Sequence, residues 1–281
     1  IDTVLCVTSG DCSNTIMLAE VLKLKGLEVI PFAYPPQPDP KQMQHTLEAL
    51  AQRLGTTVEA AEEVRNELKP CRQLALKLDQ LTWQDGLVSG WENHYWLVST
   101  SDFNQDHHKY GNELKELLTE CSKRLPYPKD MLKIAYIGVP SVYGKDLYRY
   151  LERDGGRTVF NEIQCQFAML KQASSLAEQY STYTYPYSIY QRVKDITTEL
   201  RRRQVDGVIH YVQAFCHRGI GDIIFRDALK LPILTLEGNN NFFLSQHVKT
   251  QVEAFLDMLR SSKRKSKYAK QAVTRRAIIS S

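Results

Sequence analysis

The chain has 281 residues, 43% of them hydrophobic and 24% charged, enough to bury a sizeable core as one large α/β domain or two smaller ones. No stretch reaches the roughly 18–20 uninterrupted apolar residues of a membrane span, and no secretory signal opens the chain, so a soluble cytoplasmic protein without a membrane partner is expected. The formal charge of +4 comes from the tail: residues 261–281 carry seven Lys/Arg and no acid, which leaves 1–260 at −3 and gives nucleic acid no basic footprint on the body.

In chain order, Asp2 to Thr8 reads as a buried strand, Asn14 to Lys25 as a helix closed by Gly26, and Leu27 to Phe32 as a second strand, which together make a β-α-β unit. The pattern from Pro40 to about Glu120 is helical, with breaks near Gly55, Pro70 and Gly86 to Gly90, and predicts a helical layer. Tyr127-Pro128-Lys129-Asp130 reads as a linker. Beyond it the pattern predicts strands at Leu132 to Gly138, Arg157 to Phe160, Gly207 to Gln213 and Ile233 to Leu236. Helices are predicted between and after them, at Lys145 to Arg153, Ser188 to Arg203, Ile220 to Leu229 and Ser245 to Arg260.

The alternation predicts an α/β protein of two Rossmann-like, doubly wound parallel-sheet domains with an added helical layer. The expected divisions are residues 1–126, 127–260 and a poorly ordered basic tail, 261–281. The sequence opens without Met and enters a strand at once, so a preceding amino-terminal segment is expected.

Six cysteines without the density of a secreted scaffold read as free thiols or metal ligands. Two of them repeat one local plan: Asp2 is followed ten positions later by Cys12, and Asp206 ten positions later by Cys216, with a strand between in each case. Each Cys thus falls just past a strand's carboxyl end and before a helix, where open parallel sheets bind ligands and a helix start favours thiolate. The alternative is a pair of ordinary buried cysteines, a residue type found in cores. No Cys-x-x-Cys or His-x₃-His spacing supports a zinc site, and no Walker lysine or full glycine fingerprint supports nucleotide hydrolysis.

Several motifs in order resemble the 2-hydroxyacyl-CoA dehydratase and benzoyl-CoA reductase family, including its double-cubane cluster relatives. They are Gly10-Asp11-Cys12-Ser13-Asn14-Thr15, Ala135-Tyr136-Ile137-Gly138-Val139-Pro140 and Phe160-Asn161-Glu162-Ile163-Gln164-Cys165-Gln166-Phe167-Ala168-Met169. Tyr183-Thr184-Tyr185-Pro186-Tyr187 with Arg192, Phe215-Cys216-His217-Arg218 and Leu236-Glu237-Gly238 complete the set.

The resemblance implies an iron–sulfur subunit, with Cys12 and Cys216 as two of three cysteine ligands to a 4Fe-4S or double-cubane 8Fe cluster and the third in the missing segment. It implies radical elimination of water from a 2-hydroxyacyl-CoA after one-electron reduction by an ATP-hydrolysing activator protein, in a homo- or heterodimer with a related subunit. A double-cubane reductase of small molecules and a non-catalytic partner subunit without a cluster are the alternatives.

Cys6, Cys71 and Cys121 fall within strand or helix and read as structural, whereas Cys165 sits inside a motif. Glu162 is a candidate proton carrier, and His217 beside Cys216 a candidate catalytic or cluster-tuning group. Asn161, Gln164, Tyr183, Tyr185, Tyr187 and Arg192 are candidates for a substrate pocket, with a helix cap or an aromatic core plug as the plainer readings. Asn239-Asn240-Asn241 follows Leu-Glu-Gly where an acid is expected by the resemblance, which leaves no carboxylate there.

Overall fold

A computed structural model describes residues 1–10, 12–239 and 242–279, with side chains as far as Lys265. Asp11 of the first motif, Asn240 and Asn241, and Ser280 and Ser281 at the end of the tail lie outside the described residues.

Strands β1 (Thr3–Ser9) and β2 (Glu28–Ala33) pair in parallel through helix α1 (Asn14–Leu24), as the pattern predicts. Asp39 starts α2 (Pro40–Arg53) by accepting the amides of Lys41 and Gln42, and Pro40 occupies the first turn, where its missing N–H costs nothing. The apolar face of α2 closes over β2: Phe32, Met43 and Leu47 form one buried cluster with Ala177 and Tyr187, residues far along the chain.

The helical layer is α3 (Val58–Gln80), a π turn at Leu81–Asp85, α4 (Gly90–Val98) and α5 (His107–Cys121). Pro70 lies inside α3 rather than ending it; it removes one backbone donor and the helix continues to Gln80.

The larger sheet contains β3 (Leu132–Gly138), β4 (Gly156–Asn161), β5 (Gly207–Gln213) and β6 (Ile233–Gly238), all parallel, in the order β4-β3-β5-β6. Alternation along β3 divides its side chains between two cores. Leu132, Ile134 and Tyr136 face α6 (Lys145–Arg153) and the start of α11 (Gln246–Ile279). Ala135 and Ile137 face α9 (Ile189–Arg203) and α10 (Asp222–Ala228). Helices on both faces make the sheet doubly wound. The chain leaves β3 toward β4 on one side and returns to β5 on the other, so the topological switch point lies between β3 and β5.

Two short helices, α7 (Glu162–Ala168) and α8 (Leu176–Thr182), are absent from the sequence prediction. Helix α7 begins at the residue after β4 ends, with no Gly or Pro to mark the change. Helix α11 runs past the expected end at Arg260 through the basic tail to Ile279, a stretch rich in Lys, Arg and Ala, which favour helix.

The expected boundary at residue 127 is crossed by packing. Leu78, Leu97 and Tyr110 of the helical layer share a core with Ala168. Asp79 of α3 forms a buried bidentate pair with Arg203 of α9, at 2.8 and 2.7 Å. Among the described residues no helix is long and apolar enough to cross a membrane.

Candidate functional site

Cys12 lies three residues beyond Ser9, the end of β1, and Cys216 three residues beyond Gln213, the end of β5, so the predicted echo holds in the fold. The continuations differ: α1 starts at Asn14, whereas a 3-10 turn, His217–Gly221, precedes α10. Phe215, just before Cys216, sits in the left-handed region at φ +64° with its ring exposed, a backbone state that costs a non-glycine residue free energy.

Arg218 brings the two loops together. Its Nη2 donates to the Gly10 carbonyl at 2.7 Å and its Nη1 to the Tyr185 carbonyl at 3.2 Å, while its guanidinium lies 4.1 Å from the Tyr185 ring centroid. Gly10 permits the approach: it has φ +92°, and a Cβ there would stand 2.7 Å from the Pro186 Cβ. Both cysteines are half-buried free thiols.

The Tyr183–Tyr187 turn is fixed from beneath by Gln166, whose Oε1 accepts the amides of Thr184 and Tyr185 at 2.7 and 3.2 Å. This fixing separates the three tyrosines. Tyr183 and Tyr185 line a cleft of about 700 Å³ that Gly10 and Pro186 also border. Tyr187 is buried in the cluster over β2, with its hydroxyl donating to the Tyr180 carbonyl. It therefore packs and does not face that cleft.

Below Tyr185, the Arg192 guanidinium stands 4.8 Å from that ring and 5.1 Å from the ring of Phe225. Its Nε and Nη2 donate to the two carboxylate oxygens of Glu162 at 2.7 and 2.8 Å, and the Gly138 amide donates to Glu162 Oε2 at 3.0 Å. Burial alone would raise the Glu162 carboxyl, but Arg192 and the Gly138 amide outweigh it and hold the group below the usual carboxylate range. Glu162 thus holds Arg192 under Tyr185 and ties α7 to the end of β3.

Asn161 and Gln164 lie in a buried hydrogen-bond network. Asn161 accepts from the Tyr148 hydroxyl at 2.8 Å and donates to Asn93 Oδ1 and the Gly90 carbonyl. Gln164 Nε2 lies 3.0 Å from His94 Nδ1, and its Oε1 is buried without a partner. Asn161, at the end of β4, and Gln164, in α7, both reach residues of α4 in the helical layer. His217 is exposed on the 3-10 turn, outside the network around Glu162.

Sequence reasoning missed His210 and Asp222. His210, on β5, places Nδ1 2.7 Å from Asp222 Oδ1, and Asp222 also accepts from Thr235 and Arg226. Burial lowers the His210 pKa, with Asp222 opposing, so the ring is held neutral. With Nδ1–H donating to the Asp222 carboxylate, the lone pair falls on Nε2. His210, Arg192 and Cys216 border one small pocket of about 10 Å³. A histidine inside an apolar strand followed twelve residues later by Asp was the readable signal.

The remaining cysteines are accounted for by packing. Cys71 Sγ donates to the His107 carbonyl at 3.2 Å, Cys121 is buried among apolar side chains, and Cys6 is buried on β1. Burial pushes the Cys165 thiol well up, with Asp79 adding to the effect, which keeps it protonated. Among the described residues, Glu67, His107 and His108 are the one group of three His, Cys, Asp or Glu donors within 4.8 Å of one another; Cys12 and Cys216 belong to no such group.

A family model described as 2-hydroxyglutaryl-CoA dehydratase, D-component, matches residues 1–259. No curated protein matches the chain.

Proposed function

The chain belongs to the 2-hydroxyglutaryl-CoA dehydratase D-component family, and on that premise we propose that it serves as the iron–sulfur subunit of a dehydratase-type lyase, with Cys12 and Cys216 as cluster ligands. The observation that supports this most is the Arg218 bridge, which joins the loop of Cys216 to the loop of Cys12 through the Gly10 carbonyl. The donor set suits the group: both thiols are free, partly shielded, and follow equivalent strands. A third thiolate would come from outside the packed cysteines of this fold. A bound cluster of this kind supplies one-electron chemistry and an iron with an open coordination site able to act as a Lewis acid.

The chain's own residues supply orientation and charge. Arg192 and Arg218 place two guanidinium groups beside the Tyr185 ring, and both border the small pocket of Cys216. Glu162 neutralises Arg192 from below, so the exposed balance near Cys216 rests on Arg218. His210, its ring held by Asp222 through Nδ1, borders the small pocket beside Cys216 and is the proton acceptor of this reading. The aromatic walls of the larger cleft exclude water from a bound acyl-CoA. The electron source in this reading is an ATP-hydrolysing activator protein, and the partner is a related subunit.

Anaerobic purification of the full chain with its partner subunit, followed by iron and acid-labile sulfide analysis, tests the reading. Iron-loaded protein that loses its iron in Cys12→Ser and in Cys216→Ser, and keeps it in Cys165→Ser, is the expected result. An iron-free protein overturns the cluster assignment and leaves family membership standing.

A further inference from the structure

The helical layer holds a group of donor side chains that neither the cleft nor the cysteine loops use. Glu67 of α3 meets His107 and His108, the first two residues of α5, and one donor atom from each lies within 4.8 Å of the others. His107 Nε2 stands 3.0 Å and His108 Nε2 4.0 Å from the same carboxylate oxygen, Glu67 Oε1. Successive side chains of a helix diverge by about 100°, yet these two rings lie with centroids 4.0 Å apart and converge on one oxygen.

The His107 ring nitrogen is the informative atom. It is enclosed and makes no hydrogen bond, although Glu67 Oε1 is 3.0 Å away. The oxygen therefore lies off the axis along which that nitrogen carries its proton or lone pair. Two ligands of one ion stand in this relation, each aimed at the ion and neither at the other. Donors about 2.0–2.1 Å from a tetrahedral ion are about 3.3 Å apart. The separations of 3.0 and 4.0 Å bracket that value.

The backbones that carry these donors are fixed without any ion. Cys71, one turn along α3 from Glu67, donates from Sγ to the His107 carbonyl at 3.2 Å. Gly111, one turn along α5 from His107, lets the helices approach, since a Cβ there would stand 3.3 Å from Cys71 Sγ. Glu67 and His108 are the exposed members, so rotation of their side chains can close the remaining distance. The positive end of α5 opposes a cation. Glu67 offsets it together with Asp106, which caps the helix by accepting the Lys109 amide at 2.9 Å.

We propose that Glu67, His107 and His108 bind a divalent transition ion of the zinc class, which clips α3 to α5 and is separate from the cluster ligands. Two imidazoles and a carboxylate suit Zn²⁺, Ni²⁺ or Cu²⁺, whereas Mg²⁺ and Ca²⁺ take oxygen donors. No thiol belongs to the group, so it does not compete for an iron–sulfur cluster. Three protein donors leave the remaining coordination to water, which makes the ion exchangeable.

Titration of the full chain with Co²⁺, followed by visible absorption, tests this. The wild-type spectrum minus that of His108→Gln should show the ligand-field bands of one equivalent of cobalt without thiolate-to-cobalt charge transfer, and Zn²⁺ should erase them. His108→Gln and Glu67→Gln should each weaken this binding by about tenfold or more. The double variant Cys12→Ser, Cys216→Ser should retain it. If one of the two ligand variants fails to fold, the other supplies the difference, and the cysteine variant shows the site by itself. Equal binding by the wild type and the ligand variants, or a difference spectrum dominated by thiolate charge transfer, would overturn the proposal. Iron content after anaerobic purification is a separate readout, so an iron-free protein that binds Co²⁺ in this way sinks the cluster assignment only.

Discussion

Arg218 Nη2 reaches the Gly10 carbonyl at 2.7 Å, so a side chain from the loop after β5 fixes the backbone two residues before Cys12. A lysine at this place keeps the charge but is a single donor point, unable to serve Gly10 and Tyr185 together while stacking on the ring. Arg218→Lys is expected to fold normally and to lose iron to a chelator faster than the wild type. Equal retention would show that the bridge does not hold the cysteine loops.

Removing the Glu162 carboxylate leaves Arg192 as a charge buried without its partner. Glu162→Gln should therefore destabilise by about 3–5 kcal/mol, read by denaturant unfolding. The double variant Glu162→Gln, Arg192→Met should recover much of that loss. A proton carrier would behave otherwise: the single variant would keep its stability and lose only turnover.

His94 is buried between Trp91 and Tyr148, and burial pushes its pKa down from 6.5 to about 4. The folded ring stays neutral where the unfolded one takes a proton, so stability is full above about pH 6.5 and falls as pH drops toward about 4. The total loss is about 3 kcal/mol, with no further loss from this group below that. Other groups titrate in the same window, so the check is the difference between the wild type and His94→Asn; parallel stability curves would refute the assignment.

Gly138 ends β3 at φ +96°, and a Cβ there would run into the Tyr211 carbonyl oxygen. Gly138→Ala should cost about 2–4 kcal/mol, combining backbone strain with displacement of β5. Gly26 has φ +82° with open space around it, so Gly26→Ala should cost only about 1–2 kcal/mol. Thermal unfolding of the two variants separates strain from collision.

The strands at Leu132–Gly138 and Gly207–Gln213 were legible because each is a near-continuous apolar run between polar turns, the mark of a strand covered on both faces. The placement of Cys12 and Cys216 was legible from the same spacing, since a strand's length fixes where its loop begins. What Asn161, Gln164 and Glu162 do was not, because their partners Asn93, His94 and Arg192 come from other elements, and polarity in a motif is the same whether a side chain faces substrate or a buried network. Tyr183, Tyr185 and Tyr187 look alike in sequence and part company only once Gln166 fixes the turn.

The cluster that joins Phe32, Met43 and Leu47 to Ala177 and Tyr187 also sets an order of events at the ribosome. β2 and α2 emerge early with their apolar faces uncovered, and nothing made before α8 can complete that core. The nascent chain carries an unfinished β2–α2 unit until α8 has been made. That unit closes when residue 187 has appeared, and Gly10 is clasped once Arg218 follows, so the apolar faces of β2 and α2 stay uncovered longer than those of any element paired with its neighbour in sequence.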